Sequence, residues 1–499
     1  MLPTNGQNDP ETAVNESEPS RLLNRREALM LAGATIAAGA GVIGSAATST
    51  EPLRPQTHRP KKVIIAGGGI AGLCCGYELM KRGHDVTVLE AAGHTGGHVR
   101  TIRDSLADGF YFDAGAEHFT KPGYDLYWGY VNEFNLPWLY YPRRENYLRY
   151  IKGKLRTEDE LHDRPVLSGM GFNARECDYL ANEPWWNLSM LYLAPYVEKF
   201  KDEYKPFEAG LNHLDDTTLT DVLKRDGASP AALRHIGGGD SALHSIWHAA
   251  LLKLRGVPLA PPKVHRLKGG NSGMTDAFAQ RLGERVRLGC PVTMIEHGLT
   301  GVTVHYREFG QEKKIDGDYM VSCMSLVMLR QVPVKPAWSD ARNYVIQNFR
   351  YYTASRPVFQ SRSRFWERDA VSPNVDVGDP ALGHYWKMGE DVETTRGLLV
   401  STAQGLTTPE EALAAFNKFY PGKSQDIEQV YVHDWAKDPW AMACEGLNYP
   451  PGDLKKFWPL IIEPHGRIHF AGAYADNLNW GMEAATRSAN RVARAIDAA

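Results

Sequence analysis

Two short apolar runs, Val63-Ile64-Ile65-Ala66 and Val86-Thr87-Val88-Leu89, bracket a stretch rich in glycine and small residues. The pattern predicts strand, glycine turn, helix, strand. Cys74 and Cys75 fall in the helical part and are expected to be buried. Further on, Leu267 to Met274 carries a Gly269-Gly270 turn and precedes a helix running through Leu282. Val286-Arg287-Leu288 then leads to the run Pro291-Val292-Thr293-Met294-Ile295. Val302-Thr303-Val304-His305-Tyr306 alternates as a half-buried strand should, and Tyr319 to Met324 reads as a further apolar strand. Between residues 121 and 255 the chain is rich in aromatics. Tyr192, Tyr196, Phe200 and Tyr204 recur at every fourth position, a helical stripe. Core packing is its plain reading, and an aromatic channel or membrane-facing patch is the alternative. No repeat or low-complexity segment stands out in the globular part.

The turn Gly67-Gly68-Gly69-Ile70-Ala71-Gly72 has chemistry of its own. Gly67 makes the tight turn, Gly69 lets the backbone approach a pyrophosphate, and Gly72 lets the helix pack close to the strand. A phosphate would rest on the helix N-terminus, where the first N–H groups and the dipole favour negative charge. Glu90, at the end of the second strand, has the spacing of an acid that binds a ribose hydroxyl. Strand, turn, helix and acid together read as a dinucleotide site.

Bulk properties narrow the rest. The 499 residues carry a formal charge of −3, and no excess of Lys or Arg points to nucleic acid. The length accommodates two or three domains, or one large interleaved unit. The six cysteines are scattered, without CxxC pairs or zinc spacing, so neither a metal nor a disulfide framework is expected. The pair Arg143-Arg144 reads as solvated. The N-terminus differs: residues 1–20 are polar and acidic, then Arg25-Arg26 precede a mild Ala/Gly-rich apolar run from Ala28 to Ile43 and the small residues Ser45-Ala46-Ala47. This is a signal pattern of twin-arginine type, for export to the periplasm or beyond by machinery that carries folded proteins. It is too short and glycine-rich for a membrane span.

The segment after Glu90, Ala91-Ala92-Gly93-His94-Thr95-Gly96-Gly97-His98-Val99-Arg100, is a second glycine turn with a basic residue behind it, and Asp113-Ala114-Gly115-Ala116-Glu117 follows. Near the far end stand Trp435…Asp438-Pro439, Pro450-Pro451-Gly452, Arg467-Ile468-His469-Phe470-Ala471-Gly472 and Trp480-Gly481-Met482-Glu483-Ala484-Ala485. In this order the motifs resemble the flavin-containing amine oxidase superfamily, of monoamine oxidase and L-amino-acid oxidase type, over residues 61–499. The resemblance implies an α/β protein with a Rossmann-type FAD-binding domain interleaved with an α+β substrate-binding domain. A signal and tail (1–50) and a linker (51–61) would be followed by FAD-binding parts at 62–120, 256–330 and 431–499. Substrate-domain parts would lie at 121–255 and 331–430. The implied FAD contacts are Gly67, Gly69, Ile70, Ala71, Gly72, Glu90, Gly97, His98, Arg100, Val292, Gly472, Ala473 and Met482. The chain departs from the family in carrying His98 where Arg is usual, and Ala473-Tyr474 where an acid or hydroxyl follows the late glycine; Asp476 is the nearest acid.

The activity implied is hydride transfer from the amine-bearing carbon of a primary amine, polyamine or amino acid to FAD. Imine release and reoxidation by O2 to H2O2 would follow. His118 stands where the family puts a residue facing the substrate. Arg356 stands where many members carry a lysine near flavin N5. Glu445 and Gly481 replace the two aromatic rings that flank the amine in monoamine oxidases, with Trp480 close by, and Cys444 lies where those enzymes attach the flavin covalently. His118, Arg356, Glu445 and Trp480 are thus the catalytic candidates. No arginine occupies Ala116 to Thr120, where L-amino-acid oxidases clamp a carboxylate. His98 also resembles carotenoid desaturases and UDP-galactopyranose mutases of the same fold, and a non-catalytic flavin-bound assembly protein is a third reading.

Overall fold

The computed structural model describes residues 59–379, 381–446, 448–478 and 481–499. Its organising element is a five-stranded parallel sheet. The strands are β1 (Lys62–Ala66), β2 (Asp85–Leu89), β3 (Val286–Arg287), β4 (Tyr319–Ser322) and β5 (Ile468–Phe470), in the spatial order β3-β2-β1-β4-β5. Register follows the apolar pattern: Val63 pairs with Val86, Ile65 with Val88 and Val321, and Val321 with His469. Parallel sheets are covered on both faces, which is why β1 reads as an unbroken apolar run. Ile64, Met320 and Ile468 enter one core, while Val63, Ile65 and Val321 enter another.

The second core is built by two helices. Helix α1 (Ile70–Lys81) is buried from Ile70 through Leu79, so Cys74 and Cys75 lie inside as expected. Helix α3 (Gly481–Ala498) presents Met482, Ala485, Ala489, Val492, Ala493 and Ile496, a stripe at steps of three and four, to the same core. Between them in sequence, α2 (Asp125–Glu133) packs Tyr127, Tyr130 and Val131 there as well.

The chain also forms a seven-stranded sheet. Its order is 427–434, 354–361, 397–404, 382–388, 375–379, 148–151 and 154–156, antiparallel except where 375–379 meets 148–151. Alternation sends Phe359 and Leu399 into one core with Phe416, and Val358 and Val400 into another with Phe112, Trp386 and Trp435. A three-stranded antiparallel ladder, 292–297, 302–308 and 311–317, extends the strand foreseen at Val302 to Tyr306.

One expectation is corrected here. The aromatic stripe does not form one helix: the helix ends at Val197, and Phe200 and Tyr204 lie beyond it. Pro195 sits in its last turn, where it supplies no N–H, and Lys199 and Phe200 close tighter turns on Tyr196 and Val197. Tyr192 and Phe200 are nonetheless buried in the core, with Tyr196 and Tyr204 packed against it.

Candidate functional site

The turn after β1 opens on a cavity of about 480 Å³. Gly67, at φ +108°, takes a conformation that side chains rarely adopt. A Cβ on Gly72 would lie 1.9 Å from the Gly67 carbonyl oxygen, so that glycine is required by the contact between helix and turn. Gly69 differs. A Cβ there would meet nothing nearer than the Gly96 carbonyl oxygen at 3.9 Å, so the residue opens on the cavity. Gly69 is also the N-cap of α1, with no side-chain cap, and Ile70 and Ala71 of the first turn join it in the wall. Glu90 reaches across: its Oε2 accepts from the Gly68 N–H at 2.5 Å and its Oε1 from the Ala92 N–H at 2.7 Å. Burial pushes its carboxyl pKa up, opposed by those two N–H donors. The second glycine turn lies alongside, with Gly96 donating to the Gly68 carbonyl and Gly97 and His98 in the wall.

The same cavity runs to the other end of the chain. Gly472 and Ala473, just after β5, and Gly481, Met482 and Ala485 of α3 line it, as does Val292. Glu445 lines it too, and its carboxylate makes no hydrogen bond or ion pair among the described residues. The next residue back, Cys444, belongs to the same two-residue strand, so its side chain points to the opposite face, and burial pushes its thiol up to about 12. This geometry gives no support to a covalent bond at Cys444. Trp480 lies outside the described residues.

Four predicted residues, Gly72, Arg100, Arg356 and His118, stand outside this wall. Gly72 underlies the turn. Arg100 is not part of the cavity wall; its guanidinium pairs with Asp438 at 3.6 Å. Asp438 itself lines the cavity and caps the N–H groups of Trp440 and Ala441. His98 holds the Ala441 carbonyl at 3.0 Å and meets the Trp435 ring edge-on at 4.8 Å between centroids. Asp476 does not reach the cavity and is buried against Arg487 at 2.9 Å. Arg356 is a buried clamp: its guanidinium donates to the carbonyls of Ala114, Gly115 (2.7 Å) and Ser401 and stands 3.5 Å from Glu117.

His118 lines a second cavity, of about 980 Å³. Its Nδ1 lies 3.0 Å from Arg143 and 3.4 Å from Glu117, and burial holds the imidazole below its ordinary pKa. Glu117 is fully buried. Burial alone would raise its carboxyl, but Arg143 and Arg356 bring it down to about 2. The reading of Arg143-Arg144 as a solvated pair is overturned for Arg143, while Arg144 is exposed. Arg143 pairs with Glu117 and lies 3.8 Å over the Trp386 ring, and Arg144 donates to the Pro261 carbonyl. No local pattern marks such roles, because the partners come from other parts of the chain; only Glu117, beside His118, was within reach of the motif. No group of His, Cys, Asp and Glu suited to a metal occurs among the described residues.

A glycine turn, a buried acid and two helix N-termini around one elongated cavity are what a bound dinucleotide requires, and the open space beside Gly69 fits it. Comparison with known proteins agrees. The family model for flavin containing amine oxidoreductases matches residues 70–497. An L-amino-acid oxidase of Demansia vestigiata is 22% identical over 468 residues, covering 89% of this chain and 88% of its own. That of Cerastes cerastes is 23% identical over 469 residues, covering 89% and 88%. Among solved structures, a double mutant of putrescine oxidase superposes with a TM-score of 0.73 at 20% identity, covering 88% of this chain and 99% of its own. Cyclohexylamine oxidase from Brevibacterium oxydans gives 0.72 at 20% identity, with the same coverage. The chain belongs to the flavin-containing amine oxidoreductase family. It is an FAD-dependent enzyme of amine or amino-acid oxidation.

Proposed function

We propose that the enzyme oxidises the C–N bond of a primary amine, polyamine or amino acid to an imine, which water hydrolyses, with O2 as the electron acceptor and H2O2 as the second product. The observation that carries this reading is the single cavity joining the Gly69 turn and Glu90 to Gly472, Met482 and Glu445. A bound FAD would supply the electron sink for the hydride and the route of two electrons to O2.

The chain's own groups have separable tasks. Gly69, Ile70 and Ala71 receive the pyrophosphate at the N-terminus of α1, and Glu90 receives the ribose. Val292 borders the adenine region, while Gly472, Ala473 and Met482 border the flavin, the last from the N-terminus of α3. Glu445, unpaired, attracts the substrate ammonium. His118, its imidazole held below the ordinary pKa, orients the amine or accepts its proton. Arg356 fixes the backbone of Ala114 and Gly115, a positioning task rather than contact with the flavin. The interleaved division into FAD-binding and substrate parts at residues 120, 255, 330 and 430 is part of the same reading, as is export by the twin-arginine route.

Anaerobic mixing of the purified holoenzyme with a panel of monoamines, polyamines and amino acids tests the reaction. Loss of the flavin's visible absorbance with at least one class, and peroxide on readmission of air, is the expected result. A flavin untouched by the whole panel overturns it and favours a non-catalytic flavin protein.

A further inference from the structure

Helix α3 carries a charged stripe beside its apolar one: Glu483, Arg487 and Arg491 recur at steps of four. Glu483 and Arg487 are only 1% and 3% exposed. Charged groups are seldom so buried unless they are paired. The Arg487 guanidinium donates through Nε to Asp476 at 2.9 Å. Through Nη2 it donates to the Tyr204 hydroxyl at 2.8 Å, to Asn477 at 2.9 Å and to Glu203 at 3.3 Å. Arg491 stands 3.7 Å from Asp476, and Arg255 lies 3.9 Å from Glu203 and 3.8 Å from Glu483. Asp125 joins Arg255 at the exposed end. A buried ion network is a weak source of stability, because desolvation offsets the attraction; its use is in fixing a geometry.

The geometry fixed here is that of the cavity wall. Gly472 and Ala473 line the FAD cavity, as do Gly481, Met482 and Ala485 of α3, whereas Arg487 does not. The chain between these two sets is pinned to α3. The Gly472 N–H donates to the Ser488 hydroxyl at 2.9 Å, Arg491 donates to the Ala475 carbonyl at 2.9 Å, and Arg487 takes Asp476 and Asn477. Arg487 also ties this turn to Tyr204, 283 residues away in the chain. That segment is itself anchored: the Glu203 carbonyl accepts from the Trp247 indole at 2.8 Å and the Tyr204 carbonyl from the Trp458 indole at 3.0 Å. We propose that Arg487 is a positioning residue for the flavin, setting the Gly472–Ala473 turn against the first turn of α3 without touching the cofactor. This rests on the reading that those two turns border the flavin.

Three variants of the holoenzyme test this. Arg487→Lys keeps the charge but loses the planar fork that spans Asp476 and Tyr204. Tyr204→Phe removes one acceptor and leaves the backbone bond to Trp458 in place. Ala473→Val alters the wall directly. The readouts are the visible circular dichroism of the bound flavin and its two-electron reduction potential, with the melting temperature beside them. Arg487→Lys is expected to change the dichroism and to lower the potential by about 30 mV, a tenfold loss of preference for the reduced form as the dipole of α3 is displaced. Tyr204→Phe is expected to move both readouts the same way by less, and it decides the matter if Arg487→Lys does not fold. A lower melting temperature with unchanged dichroism and potential overturns the proposal. If Ala473→Val moves the flavin signals and the other two variants do not, Arg487 has no positioning role and the placement of the flavin stands. If none of the three moves them, the placement itself fails and the proposal falls with it.

Discussion

Gly69 and Gly72 are three residues apart and do opposite things. Gly72 answers to the protein, since its added Cβ would fall 1.9 Å from a backbone oxygen, whereas Gly69 answers to the ligand, since its neighbourhood is open. Gly72→Ala is therefore expected to destabilise the apoprotein by roughly 1–3 kcal/mol, the cost typical of overpacking, and so to lower its melting temperature. Gly69→Val is expected to leave the apoprotein's melting temperature near the parent's and to abolish the bound yellow flavin. Thermal unfolding beside a measurement of FAD content separates the two; a Gly69→Val protein that keeps its colour would argue against the cradle. The same contrast explains what the residues disclosed on their own. A glycine in a turn is set by its own backbone, so Gly67, Gly69 and Glu90 could be read locally. Arg356 and Arg143 could not, because their partners, the carbonyls of Ala114 and Gly115 and the buried Glu117, arrive from distant segments.

Among the elements, a buried side chain of α3 caps α2. Glu483 of α3 accepts the N–H groups of Leu126 and Tyr127 at 3.1 and 2.9 Å, capping α2. Burial raises its pKa to about 8, opposed by those N–H donors and Arg255. Because the folded value lies above the unfolded 4.5, the native state binds more protons between these limits. The contribution to stability is thus complete on the acid side and is lost as pH climbs to about 8. Glu483→Gln, which cannot ionise, is expected to be less stable than the parent near the acid end of this window, with the gap narrowing toward its alkaline end. Melting curves across the window decide it, and parallel pH profiles would show that Glu483 does not titrate there. Helices and strands with strong local patterns, such as α1 and β1, were legible in the chain. The seven-stranded sheet was not, since its strands at 148–156 and 354–434 are too far apart for any local period to pair them.

For the molecule as a whole, the paired Arg25-Arg26 predicts that Arg25→Lys with Arg26→Lys leaves active enzyme inside the cell; cell fractionation with an activity assay checks it, and unchanged export would point to another route. The topology bears on the same question. β1 needs β4 beside it, β4 needs β5, and α3 closes the cavity only after that, so one sheet gathers strands that lie about 400 residues apart in the chain. At ribosomal rates of roughly 5–20 residues per second, β1 waits tens of seconds for its distant neighbours. A nascent chain therefore has no completed pocket to fill, and flavin capture belongs to the finished polypeptide: the protein must linger where both FAD and time are available.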